Sequence, residues 1–191
     1  GYFDNPSKGL PSSNGLMILL DSKTGLIKAI LLDEGYLTDI RTAIAGAIAS
    51  KYLANLKIEN IGILGAGMQA QLQLESLMLV RKPKTAYIWA RDTKKVDDYI
   101  YKMSKKLKIN LINSKNIQEV CEKSEILITT TPSTSPIIKN SWLRKGVHIT
   151  AMGSDADQKN ELDPEIIKYC DLYVPDKQSQ TKILGELNHA I

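Results

Sequence analysis

Ile61-Gly62-Ile63-Leu64-Gly65-Ala66-Gly67-Met68-Gln69-Ala70 is the stretch on which the reading of this chain turns. Its first four residues are apolar and strand-forming. Gly65-x-Gly67-x-x-Ala70 follows without a break, and Ala70, Leu74, Leu77 and Met78 then recur on one face of a helix. Such a glycine pattern alone is weak evidence. Here a strand precedes it, a helix follows it, and a second strand comes about 20 residues on, which is the context that gives the pattern meaning. Each position has a physical task. Gly65 permits the tight turn, Gly67 lets a phosphate approach the backbone, and Ala70 lets the helix lie close to the strand. The helix N-terminus at Met68 and Gln69 then offers N–H groups and a partial positive charge to a pyrophosphate.

Outward from the loop, the chain alternates. Strands are expected at 59–64, 85–89, 109–112, 126–130, 147–151 and 172–174, and helices at 68–81, 93–107, 116–123, 164–169 and 177–184. Alternation of this kind requires a mostly parallel sheet with helices on both faces, and right-handed crossovers make it doubly wound. The expected fold class is therefore α/β, a Rossmann-type dinucleotide-binding domain over residues 57–180. Upstream, Leu16 to Leu20 and Ile27 to Leu32 flank a turn at Asp21-Ser22-Lys23-Thr24-Gly25. They read as a β-hairpin within residues 1–36, part of a second, smaller α+β domain. Thr38 is placed to cap a connecting helix within 37–56 that runs to about Ala54. Ile40, Ile44, Ala47 and Ile48 mark its apolar face, and Ala43, Ala45, Gly46, Ala47 and Ala49 keep it thin enough for another backbone to approach. Residues 181–191 read as the start of a return to the first domain. The chain opens on Gly1 and stops inside patterned sequence, so a fragment is expected.

Bulk properties exclude several classes. Of 191 residues, 43% are hydrophobic and 24% charged, an ordinary globular balance. The net charge of +4, from 25 basic and 21 acidic residues, is too mild for a nucleic-acid partner. Lys105-Lys106-Leu107-Lys108 reads as the solvated end of a helix. No apolar run reaches the roughly 18 residues of a membrane span, and no signal-peptide pattern opens the chain. Cys121 and Cys170 form no C-x-x-C and adjoin no histidine pair. That leaves no metal site and points to a reducing, cytoplasmic setting.

The second strand bears on which dinucleotide binds. An acidic residue at its end would hold the ribose diol of NAD. Ala90 stands there instead, with Arg91 beside it and Thr93 and Lys94 close by, a set suited to a 2′-phosphate. NADP(H) is favoured; NAD(H) stays open if Asp92 turns inward to take the diol. Thr129, Thr130 and Thr131 follow the fourth strand and either line the nicotinamide or form a hydroxyl-rich strand end. Gly153-Ser154-Asp155 follows the fifth. Asp155 is the first carboxylate beyond that strand, placed to shuttle a proton on an amine or imine or simply to end the strand. Lys159 either binds cofactor or pairs with Asp155. Arg41, in the first turn after Thr38, either grips a carboxylate with two prongs or is an ordinary surface arginine. His148 reads as structural, and His189 is assigned no role.

Several of these stretches together resemble one family. Gly9-Leu10-Pro11-Ser12, Leu37-Thr38-Asp39-Ile40-Arg41-Thr42-Ala43, the Gly65 loop with Met68-Gln69, Thr129 to Pro132, and Gly153-Ser154-Asp155 through Lys159-Asn160-Glu161 look like the ornithine cyclodeaminase/mu-crystallin family. The resemblance covers essentially the whole chain. Phe3-Asp4-Asn5-Pro6, Gly35-Tyr36-Leu37-Thr38-Asp39, Gln71 to Glu75, Trp89-Ala90-Arg91-Asp92 and Thr150 to Asp155 are similar to its ectoine-utilisation cyclodeaminase branch. The resemblance implies that Arg41 binds the substrate carboxylate and that Asp155 is the catalytic acid/base. It also implies that Met68, Gln69, Thr130, Thr131, Gly153 and Lys159 contact the cofactor. A small amino or imino acid substrate, a substrate and dimerisation domain built from both chain ends, and a homodimer of the full-length protein follow from the same likeness. The chain departs from the family at two places. Ala90-Arg91 replaces the acidic residue of NAD-using members, which weighs against NAD. Asp157-Gln158 replaces a proline-glycine after the aspartate, which weighs against ornithine itself.

Two classes of function are consistent with this reading. The first is an enzyme, either an ammonia-releasing cyclodeaminase or an NADP-dependent imine reductase. The second is a non-catalytic NADP-binding storage protein of the mu-crystallin type. Retention of both Asp155 and Arg41 ranks the enzyme first.

Overall fold

The structure, a computed structural model, describes residues 5–11 and 14–191. Phe3, Asp4 and Ser12, quoted above for the family resemblance, lie outside the described residues. The chain divides into two compact units, Gly1–Thr42 and Ala43–Ile191. In the first, β1 (Met17–Leu20) pairs antiparallel with β2 (Ile27–Leu31). Asp21 shapes the turn by accepting hydrogen bonds from Lys23 N, Thr24 N and Thr24 Oγ1 at 2.9–3.0 Å. Helix α1 (Tyr36–Leu53) starts ahead of the expected Thr38 cap. Asp33 begins it instead. Its carboxylate accepts from Leu37 N at 2.8 Å and its carbonyl from Tyr36 N at 2.9 Å. Thr38 is left inside the helix, its carbonyl taking the Thr42 hydroxyl.

In the second unit, α1 buries Ala43, Gly46, Ala47 and Ser50, while Ile44 and Ile48 stay exposed. The thin face wins over the branched one because a Cβ on Gly46 would collide with the Gln73 side chain and press on Thr150. Beyond it come β3 (Asn60–Leu64), α2 (Met68–Leu77), β4 (Thr85–Trp89) and α3 (Thr93–Lys106). Then follow β5 (Asn110–Asn113), α4 (Ile117–Lys123), β6 (Ile126–Thr129), β7 (Thr134–Ile138), β8 (His148–Ala151), β9 (Asn160–Leu162) and α5 (Pro164–Tyr169). Five strands form one parallel sheet in the order β5-β4-β3-β6-β8. β7 and β9 make a separate parallel pair. The expected doubly wound α/β fold is present. Residues 172–174 are not a strand: Leu172 and Val174 are exposed, and no strand among the described residues pairs with them.

Parallel strands covered on both faces must be apolar throughout, and β3 meets that demand, with Ile61, Ile63 and Leu64 fully buried. One core lies under α2 and α3, where Ala70, Leu74, Leu77, Val96, Tyr99 and Met103 pack on Ile61, Ile63, Ala86 and Ile88. The other lies on the opposite face, where Val120, Cys121, Ile138, Leu162 and Ile166 pack on Leu64 and Leu127. No helix among the described residues is long and apolar enough to cross a membrane.

His148 opens β8, with Nε2 3.1 Å from Thr150 Oγ1. Burial, and secondarily the charge of Arg81, hold its pKa below the ordinary 6.5. The unfolded chain therefore binds a proton that the folded one resists, so this residue lowers stability as pH falls through 6.5. His148→Gln is expected to remove that contribution. Urea unfolding from about pH 8 to 5 should show the wild type losing stability relative to the variant as pH drops. A pH-independent difference would refute the assignment.

Candidate functional site

Strands β3, β6 and β8 lie side by side and end on one edge, and the strand order reverses between β3 and β6. In a doubly wound sheet this is the crevice where ligands bind. Gly65 turns the chain there with φ 122°, its N–H donating to Trp89 O at 2.8 Å. A Cβ at Gly65 would collide with Thr130 Oγ1, so the turn needs glycine on both counts. Gly67 has the opposite surroundings. A Cβ there would meet nothing within 4 Å, and as N-cap of α2 the residue has no side-chain cap. The backbone faces an open cradle at a helix N-terminus, which suits a phosphate. Met68 is exposed and Gln69 half-buried in the first turn. Ala70 is fully buried, and its carbonyl receives the Tyr99 hydroxyl at 3.1 Å.

At the end of β4, Asp92 is the N-cap of α3, accepting from Lys94 N at 3.0 Å and Lys95 N at 3.4 Å. Its carboxylate is thus engaged by the helix. Arg91 and Thr93 are exposed on either side of it. Trp89, two residues before Arg91, lines a cavity of about 420 Å³ together with Lys115, Asn116, Ile117, Gln118 and Trp142.

Beyond β8, Lys159 Nζ donates to Asp155 Oδ1. The pair is lopsided: the lysine side chain is 8% exposed and the aspartate 71%. The structure thus realises the pairing of Lys159 with Asp155, and the aspartate offers its carboxylate to solvent rather than to a helix end. Ser154 Oγ donates to Lys159 O at 2.5 Å, and His189 Nε2 lies 2.8 Å from the same oxygen.

Two residues on, Glu161 is completely buried and accepts four hydrogen bonds. Oε1 takes Thr131 N at 2.6 Å and Thr131 Oγ1 at 2.7 Å. Oε2 takes Thr129 Oγ1 at 2.6 Å and Gly153 N at 2.9 Å. Burial pushes the Glu161 carboxyl above its ordinary range, against the pull of these donors. The threonine hydroxyls expected to line a nicotinamide therefore turn inward. Thr129 and Thr131 donate to Glu161, and Thr130 Oγ1 donates to Leu64 O at 3.3 Å. Arg41 belongs to the first unit, where it is exposed in the second turn of α1; the earlier helix start moves it out of the first.

Residues 1–190 match the model of the ornithine cyclodeaminase/mu-crystallin family. The chain belongs to that family. It is 50% identical over 191 residues to an uncharacterised cyclodeaminase of Sinorhizobium fredii, covering all of this chain and 58% of the relative. Among solved structures it is similar to a Δ1-pyrroline-2-carboxylate reductase of Thermococcus litoralis in complex with NADH and L-proline. That match has 35% identity and a TM-score of 0.91, covering 98% of this chain and 58% of the other. It is likewise similar to an archaeal alanine dehydrogenase dimer with bound NAD, at 36% identity and a TM-score of 0.90, covering 98% and 57%. The chain thus spans little more than half the length of the relatives it matches.

The expected strands and helices leave out residues 156–163 of this ornithine cyclodeaminase/mu-crystallin family member, and with them Glu161. Charge density hid the short strand β9, which begins one residue after Lys159. Asn160, Glu161 and Leu162 are all buried in β9. Glu186 carries no local signal either, because its partners lie 24 and 25 residues away. It is buried in a 3-10 turn, Glu186–His189, and accepts Glu161 N and Leu162 N at 3.0 Å each. Burial raises its pKa, while these same backbone donors lower it in part.

Proposed function

We propose that the chain binds NADP(H) and forms the nucleotide-binding and proton-transferring part of an enzyme that moves hydride at the α-carbon of a small amino or imino acid. The observation that carries this reading is a juxtaposition. An open glycine cradle at the end of β3 and the exposed Asp155 carboxylate beyond β8 share one sheet edge, with β6 between them. The solved relatives that hold NADH with proline, or NAD, support a nicotinamide cofactor and a small amino or imino acid, and leave the choice of NADP(H) to residues of this chain. Gly65, Gly67, Met68, Gln69 and Ala70 would hold the pyrophosphate, the backbone at Thr130, Thr131 and Gly153 would border the nicotinamide, and the cofactor would supply the hydride acceptor or donor. The two tryptophans of the neighbouring cavity offer apolar walls for the adenine.

Asp155 takes a proton from the substrate amine on oxidation, or returns one to the imine nitrogen on reduction. Lys159 fixes that carboxylate through their ion pair. Arg41 grips the substrate carboxylate. In the cyclodeaminase form the distal amine closes on the iminium, ammonia leaves, and the hydride would return to the resulting cyclic imine, so that no net redox change occurs. In the reductase form the saturated amino acid is the product. Both forms belong to the full-length protein, which we take to be a homodimer whose substrate domain includes residues 1–36 and 181–191.

NADP(H) is preferred over NAD(H) because Asp92 is committed to capping α3 while Arg91 is exposed beside it. The experiment is a nicotinamide-fluorescence titration of the full-length protein. NADPH is expected to bind at least about 10-fold tighter than NADH, and Arg91→Ala to abolish the difference, since a charge-assisted bond is worth about 1.5–3 kcal/mol. A preference for NADH would sink the NADP assignment and favour the redox-neutral cyclodeaminase. Failure to bind either would sink the enzyme reading.

A further inference from the structure

Glu161 presents its two oxygens to two different strand ends. Oε1 is occupied by Thr131, beyond β6, through both its backbone N–H and its hydroxyl. Oε2 is occupied by Thr129 and by the backbone N–H of Gly153, beyond β8 and two residues before Asp155. The fit is close enough that a Cβ on Gly153 would collide with Glu161 Oε2 and with Thr131 O. From behind, Glu186 holds the Glu161 and Leu162 N–H groups, so β9 cannot slide relative to the strand ends without breaking buried bonds.

We propose that Glu161 is a positioning residue: one carboxylate fixes the spacing between the strand end that borders the cofactor and the loop that carries Asp155. This rests on the function proposed above. A carboxylate is required because it alone accepts at both ends. In glutamine one oxygen becomes a donor. The threonine hydroxyls can rotate to accommodate an NH₂, but a backbone N–H cannot. Whichever way the amide is turned, either Thr131 N or Gly153 N faces another donor. Glutamine at 161 therefore keeps the volume and loosens one of the two ties.

The test uses Glu161→Gln in the full-length protein with two readouts. The first is kinetic. A displacement of about 1 Å at a reacting group can cost about 100-fold. We expect kcat with NADPH and a cyclic imine to fall by about 10- to 100-fold, with the variant folded, its melting temperature lowered by only a few degrees because one buried N–H loses its acceptor, and NADPH affinity retained within about threefold. Unchanged kcat in a folded variant would overturn the proposal. So would a loss of cofactor affinity as large as the loss of kcat, which would make Glu161 a stabiliser only. The second readout needs no activity. The amide protons of Thr131 and Gly153 should resonate at low field in the wild type, as charge-assisted bonds require, and one of the two should move upfield in the variant. If neither does, the tie is absent. If the wild type binds no nicotinamide cofactor and turns nothing over, the functional reading fails, and the amide shifts alone decide for or against Glu161.

Discussion

Asp155→Asn, made in the full-length protein, is expected to lower kcat by about 10²- to 10⁴-fold, the range for loss of a positioned general acid/base, with NADPH affinity little changed. The substitution preserves shape. An asparagine oxygen can still accept from Lys159 Nζ, so the ion pair becomes a neutral-acceptor hydrogen bond and the loop has no steric reason to move. What disappears is the ability to take or give a proton. The geometry argues against the bland alternative, that Asp155 merely ends β8. Its side chain is 71% exposed and meets a buried lysine, whereas Asp33, Asp92 and Asp163 bond backbone N–H groups of the helices they start. Steady-state turnover of a cyclic imine with NADPH, alongside a cofactor titration, checks the result. Near-normal kcat would remove Asp155 from the chemistry. Lost cofactor affinity would turn it into a loop anchor.

The large-scale fold was legible because parallel strands covered on both faces leave unbroken apolar runs. Ile61 to Leu64 and Ile126 to Thr129 are such runs, and both proved to be central strands. Gly65 was legible because a turn with φ 122° under a threonine side chain admits little else. Other features were not legible because they depend on partners distant in sequence. Nothing local marks Glu161 as buried, since the burial comes from four donors, three of them at Thr129 and Thr131. The start of α1 was misplaced because Thr38 and Asp33 are both good caps, and the choice falls to positive φ at Glu34 and Gly35. The apolar face of α1 was misjudged because Ile44 and Ile48 outweigh Gly46 on any hydrophobicity scale, yet only Gly46 lets Gln73 and Thr150 approach.

Arg81→Ala is expected to cost about 2–4 kcal/mol of stability, since a buried acceptor left without a donor costs about 1–3 kcal/mol and each further hydrogen bond lost about 0.5–1.5 kcal/mol. Arg81 is 6% exposed, and its guanidinium serves the end of α1. Nη2 donates to Ser50 O, Lys51 O and Ala54 O at 2.9–3.0 Å, and Nε to Asn55 O at 3.0 Å. Nη1 donates to Val80 O at 2.9 Å. Helix C-termini carry unpaired carbonyls and a partial negative charge, so a buried cation here is compensated by the backbone itself. Alanine would leave the Ala54 carbonyl buried without a donor, leave Ser50 O only its bond from Ala54 N at 3.1 Å, and open a void beside them. The loss is large against the roughly 5–15 kcal/mol that holds a typical domain together. Urea unfolding should show a lower midpoint at an unchanged slope. Arg81→Lys should recover only part of it, because one ammonium cannot span carbonyls that a planar fork reaches together. A loss below about 1 kcal/mol, the net value of a single ordinary hydrogen bond, would mean that water reaches those carbonyls and that the end of α1 is not sealed by this side chain.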